Sequence, residues 1–167
     1  MNIETKVKYK VIDNFLPKDL FIKIKNLIMG NEMPWYYQST VSKHNEKNPN
    51  FYFMHMFFSG RYGMSHHYLE ILPIIEIIKP EALLRVKGNL YTKTKKLIQH
   101  DEHVDFHFKH KGFLLYINTN NGYTKLKDGT KIESIENRAL FFDSSVEHSS
   151  TNCTNEQVRV NININYM

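Results

Sequence analysis

Polar and apolar residues alternate one by one through "RVNININ" near the carboxyl end, so Arg159, Asn161, Asn163 and Asn165 share one face of a strand and Val160, Ile162 and Ile164 the other. "RVKGNLY" repeats the pattern, with Arg85, Lys87, Asn89 and Tyr91 opposite Val86 and Leu90. A polar face of this kind either meets water or lines the wet mouth between the two sheets of a jelly roll. The period-2 signal dominates from residue 82 onward, over "ALLRVKGNLYT", "HVDFHF", "GFLLYINT", "YTKL", "KIESI", "RALFFD" and "VRVNININ", with turn clusters such as "TNNG" and "KDG" between them. The first half reads differently. "YKVIDNFLP" is a strand running into a turn. "PKDLFIKIKNLIM" carries Leu20, Ile24, Leu27 and Ile28 at helical spacing, with Pro17 at its first position and Gly30 ending it. "MPWYYQST" and "FYFMHMFFS" are aromatic, strand-like segments separated by the polar loop "VSKHNEKNPN". "SHHYLEILPIIEIIK" starts at a candidate cap, Ser65, and Pro73 is expected to split it into two short helical pieces. Many short strands after a few helices predict a mainly β protein with some α: a β sandwich or jelly roll braced by N-terminal helices.

Composition changes this picture little. A chain of 167 residues fits one domain, with its β core over about residues 82–166. There is no apolar run long enough for a membrane span, and "MNIETKVKYK" lacks the apolar stretch of a secretory signal, so a soluble, cytoplasmic protein with no membrane partner is expected. Cys153 is the only cysteine, which excludes a disulfide framework and a thiolate cage for zinc; it is expected to be inert. The net charge of +5 is spread along the chain without a nucleic-acid fold signature, so the excess reads as a solubilising surface that also attracts anionic small molecules, and nucleic acid is not expected as a partner. Heavy use of Lys, Asn and Ile is what AT-rich coding DNA gives, as in an AT-rich microbe or its virus.

Candidate chemistry concentrates in "HDEHVDFHFKH", residues 100–110, where four of the nine histidines stand with three acids. Neutral imidazole and carboxylate are the ligands of a borderline divalent ion. Strand alternation puts His103, Asp105 and His107 on one side, and an exposed polar strand gives the same spacing. The third ligand is read as His148, which follows "RALFFDSS" by a short turn and precedes Arg159 by eleven residues; His107 competes, but three ligands from one strand crowd one side of an ion. Two histidines and one carboxylate on one face leave positions open, as in non-haem Fe(II) oxygenases. His100, His110, His66 and His67 read as surface residues, His44 as solvated in its loop and His55 as packed among aromatics.

The H-x-D of His103 and Asp105, then "YINTNNGYTKL", "RALFFDSSVEH" and "CTNEQVRVNINI", in that order and spacing, resemble the 2-oxoglutarate and Fe(II) dependent dioxygenases, in particular the prolyl-4-hydroxylase-like branch of bacteria and phages. The resemblance implies a double-stranded β-helix with Fe(II), 2-oxoglutarate and O2 as cofactors and co-substrates. It makes His103, Asp105 and His148 the iron ligands and Arg159 the partner of the distal carboxylate of 2-oxoglutarate, for which a guanidinium is well shaped. Tyr91 and Tyr116 match positions lining the co-substrate, Thr124 a position packed beside it, and Asn161 and Asn163, sharing the face of Arg159, line the same cavity. Arg159 departs from collagen-type and plant-type prolyl hydroxylases, which carry Lys there. Asp105 departs from related halogenases, which carry a small residue, and so favours hydroxylation. The implied reaction oxidises a C–H bond of a peptidyl, for example prolyl, or small-molecule substrate and releases succinate and CO2. Two alternatives stand beside it: a cupin-type metal-binding β barrel, non-catalytic or isomerase-like, which needs no Arg159, and a nucleic-acid demethylase of the same superfamily.

Overall fold

The alternating segment at the carboxyl end becomes the longest-buried strand of the molecule, Val158–Tyr166, and sits at the middle of a large antiparallel sheet. In this computed structural model, which describes residues 8–41 and 50–167, the elements in chain order are β1 (Tyr9–Ile12), α1 (Lys18–Ile28), β2 (Tyr36–Gln38), β3 (Tyr52–Ser59), β4 (Tyr62–Gly63), α2 (Tyr68–Ile78), β5 (Leu83–Thr92), β6 (Lys111–Tyr116), β7 (Tyr123–Leu126), β8 (Lys131–Glu133), β9 (Ala139–Asp143), β10 (His148–Ser150) and β11 (Val158–Tyr166). The large sheet runs β1-β9-β6-β11-β5-β3-β2, with β4 on β3, and a three-stranded sheet runs β10-β7-β8.

The two faces of the large sheet meet different things. Val160, Ile162 and Ile164, with Val86, Phe113 and Leu115, pack against Phe21, Ile24 and Ile28 of α1 and Ile71 and Ile74 of α2. The opposite face packs on the small sheet through Leu114, Tyr116, Leu140 and Phe142 against Leu126 and Ile132. The helices therefore brace one sheet and the two sheets close on each other, the jelly-roll arrangement that the alternation predicts. The pairing of β11 with β5 sets the two polar faces side by side: Arg159 is opposite Tyr91, Asn161 opposite Asn89, Asn163 opposite Lys87 and Asn165 opposite Arg85. All four β11 residues are buried. The polar face does not meet bulk water; it lines the interior between the sheets.

Several local expectations change. Pro73 does not split its helix: α2 runs through it, anchored on both sides by buried Ile71 and Ile74. The carbonyl that loses its helical donor belongs to Leu69, which is 69% exposed, so water can replace the missing N–H. Ser65 is not the helix cap. Its hydroxyl accepts from the His67 N–H at 3.1 Å, and the cap position falls to His67. Pro17 precedes the first turn of α1 as its flanking cap residue. "HVDFHF" is not a strand but an irregular segment pinned by one bridge, His103 to His148, while His148–Ser150, unpredicted, is a short strand. His100 and His110 are buried, not at the surface, and His55 is packed as expected. His44 lies outside the described residues. Among the described residues no helix is long and apolar enough to cross a membrane.

Candidate active site

The bridge between His103 and His148 builds the site. Each backbone N–H donates to the other's carbonyl, at 2.9 and 3.0 Å, and Asp105 N–H donates to Ser144 O at 3.2 Å. Two points of pairing hold the 103–105 segment across the turn that precedes β10, and the imidazole centroids come within 4.7 Å. Ligand atoms of His103, Asp105 and His148 all lie within 4.8 Å of one another. The Asp105 carboxylate is 3.9 Å from His148 Nε2. His148 Nδ1 faces the Val146 carbonyl at 3.0 Å and His103 Nδ1 the Asp101 carbonyl at 3.3 Å. A carbonyl only accepts, so both rings carry their proton on Nδ1 and present Nε2 as the free donor atom. Two imidazoles and one carboxylate suit a divalent first-row ion with positions left open. His107 is exposed and stands outside the group, because the chain bends after Asp105 and the strand alternation that would align it is absent.

Cations and amides orient Asp105. Arg85 Nη2 donates to Oδ1 at 2.6 Å, and Asn165 and Asn163 donate to Oδ2 at 2.9 and 3.4 Å. Burial pushes the Asp105 acidity toward the neutral form, but the Lys87 and Arg85 charges outweigh it and hold the carboxyl well below the usual range. Burial, then the neighbouring His148, lowers His103 to about 4, so its ring is neutral and ready to ligate. Burial, then Arg85, lowers Lys87 to about 8, with Asp105 opposing.

Arg159 is fully buried. Its Nε donates to Ser134 Oγ at 2.7 Å, Nη1 to the Thr151 carbonyl at 3.1 Å and Nη2 to Thr124 Oγ1 at 3.2 Å, and its guanidinium carbon lies 5.4 Å from the Tyr91 ring and 5.7 Å from that of Tyr116. Three of five N–H groups are used, all on neutral oxygens, and no carboxylate pairs with it among the described residues. Gly122, in the "TNNG" turn, makes room for this side chain: a Cβ there would come within 3.0 Å of Arg159 Cδ and of the Asn152 carbonyl. Tyr116 donates to Thr124 Oγ1 at 2.8 Å, and Ser150 links Tyr91, at 3.4 Å, to His100 Nδ1, at 2.9 Å.

The triad lines one cavity together with Tyr52, Lys87, Asn89, Tyr91, Thr124, Asn161 and Asn163 among others, whereas Arg159 and Tyr116 are outside its lining and reach it through their hydrogen bonds to Thr124. Arg159 stands directly behind the lining residues Thr124 and Tyr91. Three buried polar atoms of the cavity wall have no partner: Asn89 Oδ1, Ser149 Oγ and Asn163 Oδ1. Such atoms are rare in folded proteins and leave room for water or a bound group to pair with them. The structure thus brings together His103, Asp105, His148, Tyr91, Tyr116, Thr124, Asn161, Asn163 and Arg159. Sequence reading missed His100, Ser134, Ser150, Gly122 and Asn165 as supports. Only Asn165 carried a signal, its place on the polar face of β11.

The fold so defined is that of the 2-oxoglutarate/Fe(II) oxygenases. Among solved structures, the chain superposes on an oxidoreductase of the 2OG-Fe(II) oxygenase family from Burkholderia pseudomallei with a TM-score of 0.72 and 8% identity, over 95% of this chain and 84% of that one. It matches a prolyl hydroxylase from Trichoplax adhaerens in complex with a hypoxia inducible factor oxygen degradation domain peptide fragment (0.68, 12%, 97% and 84%). It also matches the 2OG complex of a viral collagen prolyl hydroxylase from Paramecium Bursaria Chlorella virus-1 (0.61, 13%, 99% and 100%). No family model matches the sequence, and no curated protein matches it. At these identities the likeness is one of fold.

Proposed function

We propose that this chain is a 2-oxoglutarate- and Fe(II)-dependent dioxygenase that hydroxylates a C–H bond of a peptidyl or small-molecule substrate and releases succinate and CO2. The observation that carries the reading is Arg159: a fully buried guanidinium with no anionic partner among the described residues, hydrogen-bonded to Thr124 in the wall of the cavity that holds the His103, Asp105 and His148 group. A buried charge is costly unless it is paired, so the site is built for an anion that the chain itself does not supply. The distal carboxylate of 2-oxoglutarate is that anion, taken by the two unused N–H groups of Arg159 as Thr124 gives way. A cupin-type barrel that only binds metal leaves Arg159 without a role.

Fe(II), 2-oxoglutarate and O2, when bound, supply the oxidising power for the C–H bond. The chain's own residues hold geometry. Val146 and Asp101 carbonyls fix the His148 and His103 tautomers, Arg85 and Asn165 fix the carboxylate of Asp105, and Ser134 and Thr151 hold Arg159 from behind. Tyr91, Tyr116 and the Thr124 methyl exclude water from the co-substrate. The peptide held by the Trichoplax enzyme supports a peptidyl substrate here. We read residues 1–167 as one such domain acting in the cytoplasm. The test is succinate formation from 2-oxoglutarate with Fe(II). His103→Ala should abolish it, and Arg159→Ala should raise the KM for 2-oxoglutarate ~100-fold or more, as loss of a charge-assisted pair does. No succinate from the native chain under any condition overturns the reading.

A further inference from the structure

Resting on the oxygenase reading, we infer that Lys87 is the substrate-binding residue of this cavity and that the substrate presents a carboxylate to it. Lys87 projects from β5 into the same cavity as the triad. Its ammonium makes no hydrogen bond and no ion pair among the described residues, and its nearest ring, Tyr52, is 6.0 Å away. Its charge, with that of Arg85, helps hold Asp105 ionised, but it makes no hydrogen bond to that carboxylate, whose two oxygens accept from Arg85 at 2.6 Å and Asn165 at 2.9 Å.

Charge balance leads to the same place. With both groups bound, the charges of Fe(II) and 2-oxoglutarate cancel and Asp105 offsets Arg85, so Arg159, which meets the distal carboxylate, and Lys87 carry a net excess of two positive charges. Arg85 is engaged with Asp105 and Asn165 and stacks over Phe106 at 4.9 Å, partly open to solvent. Lys87 alone is left facing the cavity without an anion.

Lys87 is opposite Asn163 and Tyr91 opposite Arg159, so Lys87 and Arg159 stem from points four residues apart along the paired strands, ~13 Å of extended backbone. On this inference Arg159 takes the co-substrate and Lys87, in the wall of the cavity that holds the metal ligands, takes a second carboxylate. Asn89 and Asn163, whose Oδ1 atoms lack donors, stand beside it to accept hydrogen bonds from the rest of the same molecule.

The experiment uses the full chain loaded with Zn(II), which cannot turn over, and saturating 2-oxoglutarate. Two matched probe pairs are titrated by ligand-observed NMR: propionate against propionamide, and N-acetylproline against N-acetylprolinamide. Within each pair the carboxylate is replaced by a neutral amide of nearly the same size and shape. In the native chain the carboxylate member should bind ~10-fold tighter or more, the gain typical of a charged hydrogen bond. Lys87→Met, kept at saturating Zn(II) and with 2-oxoglutarate still bound, should bring the pair within about twofold, and Lys87→Arg should restore the preference. Equal or absent binding of both members in the native chain, or a preference that survives Lys87→Met, overturns the assignment. So does loss of 2-oxoglutarate binding in Lys87→Met, which would make Lys87 the co-substrate anchor. Failure of the native chain to bind Zn(II) and 2-oxoglutarate, seen before any probe is added, overturns the oxygenase reading and this inference with it.

Discussion

At the residue scale, the proposed role of Arg159 rests on a planar fork of N–H groups that a lysine does not have. Its three committed N–H groups tie it to Ser134, Thr151 and Thr124, leaving two for an incoming carboxylate. Arg159→Lys keeps the charge but forfeits this fork, and buried acceptors lose their donors. Calorimetry should find the 2-oxoglutarate Kd raised ~10-fold or more with Mn(II) affinity unchanged; an unaltered Kd would deny Arg159 its role. The histidines make a separate prediction. Burial, first among causes, lowers His100 to about 3 and His103 to about 4 from an ordinary 6.5. Between those values and 6.5 the unfolded chain binds protons that the folded chain refuses, so stability rises with pH through this window and is lost on acidification. Each such proton is worth about 1.4 kcal/mol per pH unit. Asp105, held below its ordinary value, stays ionised in both states above pH 5 and adds no slope there. His100→Gln should remove about one proton from the pH dependence of metal-free stability between pH 6 and 4.5, measured by denaturant titration. An unchanged slope would show that His100 titrates normally.

At the scale of elements, turns position the site as much as strands do. Gly122 opens β7 at the one place where Arg159 Cδ and the Asn152 carbonyl crowd the backbone. Gly122→Ala should cost about 1–3 kcal/mol and weaken 2-oxoglutarate binding without loss of metal. Gly129→Ala, at φ +86° with open space around it, should cost stability alone. If both variants bind 2-oxoglutarate as the native chain does, Gly122 has no hold on Arg159. Alternation made the faces of β5 and β11 readable from sequence, because strand geometry fixes them whatever lies opposite. It misled at "HVDFHF", since a segment pinned at two points offers side chains at i and i+2 much as a strand does, yet bends beyond them and throws His107 outward. His100 and His110 were unreadable for a different reason. Each is buried on the hydroxyl of one distant serine, Ser150 or Ser144, and a serine fifty or thirty-four positions away leaves no mark on local pattern.

For the whole molecule, the sequence showed which residues share a face and which class of layers they form. It could not show that the polar face of the large sheet turns inward. That depends on the three-stranded sheet, of which β7 and β8 were legible in "YTKL" and "KIESI" while β10, only three residues long, left no pattern to read. Once this sheet closes, the metal-ligating group and Lys87 line one cavity and Arg159 stands behind its wall at Thr124, a charged interior suited on the proposed reading to anionic ligands. The most direct test is calorimetric titration of 2-oxoglutarate into the native chain with and without Mn(II). One molecule per chain should bind in the presence of the metal, and binding should collapse without it or in His103→Ala. Binding that ignores both the metal and His103, or no binding at all to the Mn(II)-loaded chain, would contradict a co-substrate site shared between the triad and Arg159.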